Sequence, residues 1–366
     1  MEQTSQREIR AIDPTWSIAE LMARLAKALV GDGPALALGP VSVAGAPDRV
    51  SLVVNTSGST GMAKEVGLSA SALLESAKSA NKFLGAKSGQ TWSLLLPLTH
   101  IAGINVLVRS LELGTVPIDA REVKGRYPHA DYTAVVPTQL FKALNSDSQL
   151  LEHLISVQAV LVGGAALSAE LREAARNAGI NVIETYGMTE TCGGCIYDGL
   201  ALDGTEFEID ELGVISIASK VLATTYLNAP VAWSERIRNG YFVTTDLGKI
   251  ENGKLIVTGR SDDVIITGGE NVSLSEVESV VRDTFTGIEC AAFALPDSQW
   301  GQSLQLAIAG ELKPEQSAIN EYLSSKISRA AKVKNFIYIA ELPLTSLGKV
   351  DRAKLADIAL EVNHGK

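Results

Sequence analysis

The sequence predicts an α/β protein with a large N-terminal domain of α/β layers, a small β subdomain and a small C-terminal α+β domain. Three observations support this fold class. Between about residues 49 and 186, apolar runs alternate with helical patterns, as expected for strands covered on both faces. After Gly187 the chain changes to short β segments rich in turn residues, and from Ser261 it continues as a compact α+β pattern.

Hydrophobic periodicity and helix caps place the elements of the layered region. The apolar run at 50–55 predicts a strand, and Ser69 is an N-cap residue in front of a helical pattern that reaches about residue 84. A buried helix is expected over 101–113, where most residues are apolar. The other predictions are strands at 92–97, 132–136, 157–162 and 181–184, a helix ending at 144 and a helix over 168–177.

The second half is predicted from shorter patterns. Asn252-Gly253 is a hairpin-turn signal between two β segments. The predicted strands of the β subdomain are 214–218, 241–244, 247–251 and 254–258. The C-terminal predictions are helices at 274–284 and 314–328, strands near 291 and 304, and a strand at 335–339. Motif positions set the expected domains at 1–260 and 261–366.

Composition narrows the class of partner. The 366 residues carry a net charge of -10 without a basic run, which argues against nucleic acid as a partner. The first ten residues are polar and lack the apolar core of a signal peptide, and no apolar stretch reaches the ~18 residues of a membrane helix. We therefore expect a cytoplasmic protein with no membrane span. Of the three cysteines, Cys192 and Cys195 form a CxxC without a second ligand pair, which favours packing over a metal or redox site.

A run of hydroxyls and glycines ending in a lysine follows the first strand of the layered region. Glycines let backbone N–H groups approach an anion, hydroxyls add donors, and the lysine adds a positive charge. The run is not a Walker A loop, because Glu65 follows the lysine. A Ser/Gly-rich surface loop is the alternative reading. The candidate phosphate-binding residues are Thr56, Ser57, Gly58, Ser59, Thr60, Gly61 and Lys64.

Four further motifs follow in order. They are Tyr186-Gly187-Met188-Thr189-Glu190, the segment 241–246 ending in Asp246, the segment 259–272 with Arg260, Asp262, Gly268 and Gly269, and the segment 343–352 with Lys349. In addition, Gly163-Gly164-Ala165 follows a predicted strand. Taken singly, Asp246 could be a turn former, Glu190 a solvated carboxylate and Lys349 an exposed loop lysine.

Together, the five motifs resemble those of the acyl-adenylate-forming superfamily, which includes acyl-CoA synthetases, peptide-synthetase adenylation domains and luciferases. Two positions depart from its pattern: Ala63 stands where proline is usual, and Thr245 stands where glycine is usual. The resemblance implies an AMP-forming ligase that activates a carboxylic acid with ATP and passes the acyl group to CoA. It also implies that the small C-terminal domain is mobile.

The resemblance assigns a role to each motif residue. For the nucleotide, it implies phosphate binding by the loop at 56–64 and Thr189, an adenine wall at Gly163, Gly164 and Ala165, adenine stacking by Tyr186 with Gly187 and Met188 beside it, and ribose binding by Asp246 and Arg260. Glu190 is implied to bind Mg²⁺, and Lys349 to catalyse adenylation. Asp262 is implied to be a hinge, and Gly268 and Gly269 to line a pantetheine tunnel.

Within the superfamily, segments 97–111 and 186–204 resemble the short actinobacterial o-succinylbenzoate:CoA ligases of menaquinone biosynthesis. That likeness implies a catalytic His100 beside the acyl pocket and an Arg109 that faces a second substrate carboxylate. The structural alternatives are a satisfied core histidine and a snorkelling surface arginine. Another aryl or alkyl acid:CoA ligase, an adenylation enzyme that loads a carrier protein, and a nucleotide-binding sensor remain open, as does a homodimer.

Overall fold

The computed structural model describes residues 6–56, 63–285, 288–310, 312–344 and 350–364, and of 262 and 362–364 only the backbone. The chain forms two compact units. The first contains Met1–Glu208, Ser216–Thr244 and Ile250–Ile256, and the second contains Ile209–Ile215, Thr245–Lys249 and Val257–Lys366. The domain boundary at residue 260 remains a prediction.

The helices match most of the predicted helical patterns and add others. Ser69 caps its helix as expected, accepting a hydrogen bond from the Ala72 N–H at 3.1 Å. The helices are α1 (Ile18–Leu29), α2 (Ala70–Leu84), α3 (Ile101–Glu112), α4 (Pro137–Asn145), α5 (Ser148–Ser156), α6 (Ala169–Asn177), α7 (Pro230–Arg236), α8 (Leu274–Thr284), α9 (Gln316–Lys326) and α10 (Arg352–His364). None of the helices in the described part of the chain has the length and apolarity that crossing a bilayer requires.

Every predicted strand interval is β structure, although several limits differ and the two predicted strands 241–244 and 247–251 form one strand. The strands are β1 (Gln6–Ala11), β2 (Ala35–Ala37), β3 (Gly45–Pro47), β4 (Val50–Thr56), β5 (Lys64–Ser69), β6 (Trp92–Leu94), β7 (Ile118–Asp119), β8 (Tyr132–Val135), β9 (Ala159–Val162), β10 (Val182–Met188), β11 (Gly193–Tyr197), β12 (Leu200–Ala201), β13 (Thr205–Ile209), β14 (Val214–Ser219), β15 (Thr225–Tyr226), β16 (Ile237–Arg238), β17 (Tyr241–Glu251), β18 (Lys254–Arg260), β19 (Val264–Thr267), β20 (Glu270–Ser273), β21 (Glu289–Asp297), β22 (Gly301–Ala309) and β23 (Asn335–Ile339).

A mixed six-stranded sheet of order β15-β5-β4-β2-β1-β3 carries the two ends of the phosphate loop. Strands β4 and β5 are antiparallel, and their last pair in register is Thr56 opposite Lys64. The expected strand at 50–55 is therefore confirmed, and the lysine at the end of the motif begins a second strand.

A seven-stranded sheet of order β12-β11-β10-β9-β8-β6-β7 forms the centre of the first unit. Strands β6 to β10 of this sheet run parallel, and the predicted alternation of strands and helices is confirmed. On one face, apolar side chains of β8, β9 and β10 pack against α4, α5 and α6, with Leu140, Leu154 and Val160 fully buried. This packing fixes the carboxyl ends of the parallel strands, where ligands bind in open α/β sheets.

Two further sheets follow in sequence. One has the order β13-β14-β17-β16 with β18 beside β17, and the other has the order β20-β19-β22-β21 with β23 beside β22. The Asn252-Gly253 hairpin is confirmed, because both residues have positive φ, 52° and 74°. Val277, Leu306 and Leu323 belong to the apolar core of the second unit, which forms where α8 and α9 cover the last sheet.

Candidate active site

Thr56 and Lys64 are the two ends of the predicted phosphate loop that the structure describes. They lie opposite each other in the β4–β5 hairpin, and the Thr56 Oγ1 is 3.5 Å from the Lys64 carbonyl oxygen. Ser57, Gly58, Ser59, Thr60 and Gly61 lie outside the described residues. The hairpin thus brings the hydroxyl and the ammonium group of this motif to one end of the first sheet.

Three predicted segments meet at the carboxyl edge of the parallel strands. His100 follows β6, Gly163-Gly164-Ala165 follows β9, and Tyr186–Glu190 spans the end of β10. A Cβ on Gly163 would lie 2.2 Å from the Thr185 Oγ1, so this position admits only glycine. Strands β9 and β10 are neighbours in this sheet and β8 lies between β9 and β6, so the three segments leave the sheet at the same edge, where ligands bind in open α/β sheets.

The Tyr186–Glu190 motif is held in an irregular pairing between β10 and β11. The register shifts between Tyr186 and Gly187, and a Cβ on Gly187 would lie 2.1 Å from the Gly193 carbonyl oxygen. The Thr191 Oγ1 accepts the Met188 N–H at 2.9 Å and lies 2.7 Å from the Gly193 carbonyl oxygen. Close backbone contact therefore turns the chain so that Thr189 and Glu190 leave the sheet.

Glu190 is half-buried, and its two oxygens differ. The Tyr226 hydroxyl donates to its Oε1 at 2.7 Å, whereas no described residue hydrogen-bonds to its Oε2. Burial and the neighbouring carboxylate raise the pKa of Tyr226, so this hydroxyl remains a donor. Mg²⁺ binds through one or two carboxylates together with substrate phosphates, and a carboxylate with one oxygen available fits that requirement. Within the described ranges, no group of three or more His, Cys, Asp or Glu side chains could hold a metal.

Arg109 is buried in the last turn of α3, with only 4% of its surface exposed. One guanidinium nitrogen donates to the Tyr197 hydroxyl at 3.2 Å, and the group lies 5.0 Å from the centre of the Trp92 ring. Its Nε has no hydrogen-bond partner among the described residues, and the Arg109 guanidinium forms no salt bridge with any of them. The alternative of a snorkelling surface arginine is therefore wrong.

His100 is the N-cap residue of α3, at the opposite end of the helix that carries Arg109. It is half-buried, and its Nδ1 lies 2.9 Å from the Thr99 Oγ1. A satisfied core histidine would be fully buried, so the structure places His100 at the edge of the sheet rather than in the core.

Asp246 and Arg260 lie together in the second unit. An Arg260 nitrogen is 3.3 Å from Asp246 Oδ1, and another donates to the Thr245 Oγ1 at 2.6 Å. Thr245, which stands where the family pattern has glycine, therefore supplies an acceptor that orients the arginine. The family resemblance implied ribose binding for Asp246 and for Arg260, but it did not predict that the two side chains contact each other.

The remaining predicted residues also belong to the second unit. Gly268 and Gly269 form the two-residue turn between β19 and β20 with φ of 61° and 83°, and Gly268 contacts Trp300 so closely that a Cβ would lie 2.9 Å from its ring. Asp262 lies in a single 3₁₀ turn, Ser261–Asp263, and its side chain is outside the description. Lys349 also lies outside the described residues.

The two cysteines of the CxxC pattern are part of the packing around the Tyr186–Glu190 motif. Cys192 and Cys195 are buried thiols, and burial raises the pKa of Cys195 to about 12 and that of Cys192 further. The Cys192 carbonyl oxygen accepts hydrogen bonds from Asn105 Nδ2 at 2.7 Å and from Ser76 Oγ at 3.3 Å. Two helices thus anchor the turn that follows Glu190.

Comparison with known proteins gives consistent results. The family model described as AMP-binding enzyme matches residues 4–218. A "Probable 2-succinylbenzoate--CoA ligase" of Mycobacterium tuberculosis (strain ATCC 25618 / H37Rv) is 38% identical to this chain. The alignment covers 92% of this chain and 94% of the relative. A 2-succinylbenzoate–CoA ligase of Lactococcus lactis is 27% identical, covering 86% of this chain and 73% of its own.

A solved structure shows the same fold along most of the chain. It is o-succinylbenzoate CoA synthetase from Bacillus subtilis in complex with its acyl-adenylate intermediate, with a TM-score of 0.75 and 23% identity. The match covers 95% of this chain and 82% of that chain. At this identity the likeness establishes the fold alone, and the chemistry has to be inferred from the residues described above.

Proposed function

The chain belongs to the AMP-binding enzyme family, and from that premise we propose that it activates 2-succinylbenzoate with ATP and transfers the acyl group to CoA. The first half-reaction forms a mixed anhydride, acyl-AMP, and releases pyrophosphate. In the second half-reaction the CoA thiol attacks the acyl carbon and AMP leaves. ATP, CoA and a carboxylic acid are therefore its proposed substrates.

The charge of the first step determines which residues it needs. Attack of a carboxylate on the α-phosphate brings two anions together, so the site must offset negative charge as the bond forms. We assign this task to Lys64, Thr56 and Thr189 in the first unit and to Lys349. When bound, Mg²⁺ would neutralise phosphate charge, and Glu190 is the residue that would hold it.

The remaining motif residues are assigned to binding. We propose that Tyr186 stacks on adenine beside Gly163, Gly164 and Ala165, with Gly187 and Met188 shaping the strand next to it. Asp246 can accept hydrogen bonds from ribose hydroxyls, and Arg260, held by Thr245, can donate to them. For Gly268 and Gly269 the proposed role is to let the pantetheine arm of CoA pass close to the backbone.

One observation carries the choice of acid: Arg109 is a buried cation with an unpartnered Nε and no carboxylate from the described residues beside it. Leaving a charge unpaired in the interior costs several kcal/mol, so a ligand that brings an anion would compensate it. 2-Succinylbenzoate has two carboxylates, of which the aliphatic one is activated and the aromatic one remains charged. A fatty acid or benzoate has no second carboxylate for this arginine.

The geometry of α3 suits a dicarboxylate. His100 and Arg109 are separated by nine residues, or about 14 Å along the axis, and helical side chains lean toward the N-terminus, which shortens the gap. We propose that His100 lies by the carboxylate that reacts and Arg109 by the one that does not. The proposal also places the enzyme in the cytoplasm, where ATP and CoA are available, and leaves a homodimer open.

The test is a panel of carboxylic acids in an ATP–pyrophosphate exchange assay, run with the wild type, Arg109→Ala and Arg282→Ala. Removing one partner of a buried charge pair typically costs about 2–5 kcal/mol, so Arg109→Ala should lower kcat/KM for 2-succinylbenzoate by roughly 30-fold or more. Activity toward 4-phenylbutyrate should hold or rise. Arg282, half-exposed on α8, is the matched control and should leave both activities unchanged.

Two results would contradict the proposed substrate. One is a wild type that prefers monocarboxylic acids. The other is an Arg109→Ala variant that loses activity toward both classes of acid alike, since a general loss would indicate a packing role. Either result would leave a general acid:CoA ligase as the function. Product analysis with CoA then separates a ligase from an enzyme that loads a carrier protein.

A further inference from the structure

Residues 223–228, which lie outside all five motifs, connect two of them. We call this stretch the bridging segment. It runs antiparallel to β5, with Tyr226 opposite Val66, and its backbone donates from Thr224 to the Gly67 carbonyl at 2.8 Å and from Leu227 to the Glu65 carbonyl at 2.7 Å. The segment is therefore an edge strand on the hairpin that carries the phosphate loop.

Asn228 closes this pairing with its side chain. Its Oδ1 accepts the Glu65 N–H at 3.0 Å, and its Nδ2 donates to the Ala63 carbonyl oxygen at 2.8 Å. These two backbone groups flank Lys64 on either side. One amide side chain thus fixes the peptide at the point where the lysine leaves the phosphate loop.

Tyr226 contacts both charged groups of the first unit's nucleotide motifs. Its hydroxyl donates to Glu190 Oε1 at 2.7 Å, and the Lys64 Nζ lies 4.7 Å from the centre of its ring. The ring is 1% exposed and packs edge-on against Trp233 at 5.2 Å, which leaves it no freedom to turn away. In the same segment, the Ala223 N–H donates to the Glu190 carbonyl oxygen at 2.7 Å.

We propose that Tyr226 and Asn228 are positioning residues that fix the Lys64 ammonium and the Glu190 carboxylate relative to each other before the nucleotide binds. Lysine and glutamate are long side chains that lose rotamer freedom when they are held in one geometry. A charge-assisted hydrogen bond to Oε1 orients the carboxylate and leaves Oε2 available for a cation. A site arranged in advance does not have to reorganise when charge develops.

The proposal rests on the proposed function only in requiring that the chain binds ATP with Mg²⁺. It differs from a purely structural role for Tyr226 in one measurable respect. A tyrosine that only filled space would change thermal stability when altered, whereas one that orients Glu190 also changes the Mg²⁺ concentration at which ATP binds tightly.

The test uses Tyr226→Phe, which keeps the ring, its packing and its contact with Lys64 and removes the hydroxyl. ATP binding is measured by calorimetry across a Mg²⁺ titration, with neither acid nor CoA present. Because a hydrogen bond to a charged group has been removed, the Mg²⁺ midpoint should rise by about tenfold, while ATP binding in EDTA stays near the wild-type value. The matched control is Tyr132→Phe, which removes an equally buried hydroxyl bonded to Gln90 and Gln158.

Asn228→Ser gives a second and independent measurement. It frees the peptide on both sides of Lys64 and leaves Glu190 in place, so it should weaken ATP binding several-fold in EDTA and in Mg²⁺ alike. Asn181→Ser is its control, because Asn181 also donates to a backbone carbonyl, that of Gln158, at 2.7 Å.

The outcomes separate the two levels of the proposal. A wild type that binds ATP, together with a Tyr226→Phe variant whose Mg²⁺ midpoint is unchanged or moves no more than that of Tyr132→Phe, overturns the positioning role. A wild type that binds no ATP at any Mg²⁺ concentration overturns the proposed function, and the positioning role with it.

Discussion

Lys349 is the residue whose proposed role depends most on timing. It lies outside the described residues; on either side of it, Leu344 pairs with Val350, and the Asp351 N–H donates to the Pro343 carbonyl oxygen at 2.8 Å. If Lys349 neutralises charge only during adenylation, Lys349→Ala should lower the rate of acyl-adenylate formation by about 10²- to 10³-fold. Thioester formation from supplied acyl-adenylate should continue, and the two half-reactions can be assayed separately.

The control for this variant is Lys354→Ala, which removes an exposed lysine from the first turns of α10. It should leave both half-reactions near the wild-type rate. An equal loss in both half-reactions of Lys349→Ala would show that this lysine is structural or shared between the steps.

At this scale, several contacts around the candidate site were not predicted by the motifs. The sequence named Asp246 and Arg260, but the arginine also donates to Thr245, a residue that only counted as a departure from the family pattern. Tyr226 and Asn228 gave no motif signal at all, since their partners lie 36 residues away or more. A motif specifies residue types along the chain, whereas these contacts depend on which strands become neighbours.

At the scale of elements, the prediction was best where periodicity and caps agreed. α8 and β23 have the predicted limits, and α2 begins directly after its predicted cap. The interval 241–251 was predicted as two strands and is one, β17, because the alternation of partly buried and buried residues continues through Thr245, which is partly buried, and Asp246, which is buried. The predicted strands, 241–244 and 247–251, left these two residues out.

Several elements were absent from the prediction. α1 has an amphipathic pattern, with Leu21, Met22, Leu25 and Ala28 buried, and its N-cap Ser17 accepts the Glu20 N–H. That signal was in the sequence and was overlooked. β5 is different: its apolar content is low and it begins with Lys64-Glu65, so its pairing with β4 and β15, rather than a local pattern, defines it.

α5 supplies an expected pH dependence of folding. Its His153 is 4% exposed, hydrogen-bonds through Nε2 to the Ser93 Oγ of β6 at 2.8 Å and stacks on Tyr127. Burial, and secondarily the charge of His129, lower the pKa of His153. The folded state therefore binds this proton less readily than the unfolded chain, whose histidine has a pKa near 6.5.

It follows that the contribution of His153 to stability is complete above about pH 6.5 and is lost as the pH falls below it. His153→Gln should remove this dependence. Between pH 7.5 and 5.5, the free energy of unfolding should therefore decrease less in the variant than in the wild type, by a difference on the order of 1 kcal/mol. Urea titrations at the two pH values measure it. His129→Gln, at an exposed position, should have a much smaller effect, and equal pH slopes in the wild type and His153→Gln would contradict the assignment.

At the scale of the whole molecule, the two proposed half-reactions make different demands. In the proposed mechanism, adenylation needs Lys349 near the phosphates, whereas thioester formation needs room for the CoA thiol, so one arrangement of groups does not serve both. The α/β fold was predictable because it follows from local patterns. The assignment of residues 209–215 and 245–249 to the second unit was not, because it depends on contacts made far along the chain.

Asp262 is the proposed pivot between these two states. It lies in the 3₁₀ turn Ser261–Asp263, where φ near -65° is normal and where the N–H groups of the first residues have no acceptor within the turn. Proline fixes φ near the value that a 3₁₀ turn uses, and it obstructs a change of φ. Asp262→Pro should fold normally and retain one half-reaction while slowing the other, which separate assays of acyl-adenylate formation and thioester formation would detect. Asp262→Ala leaves φ free and should run both steps, so it separates loss of rotation from loss of the carboxylate. If Asp262→Pro folds and runs both half-reactions at wild-type rates, the chain turns at another residue.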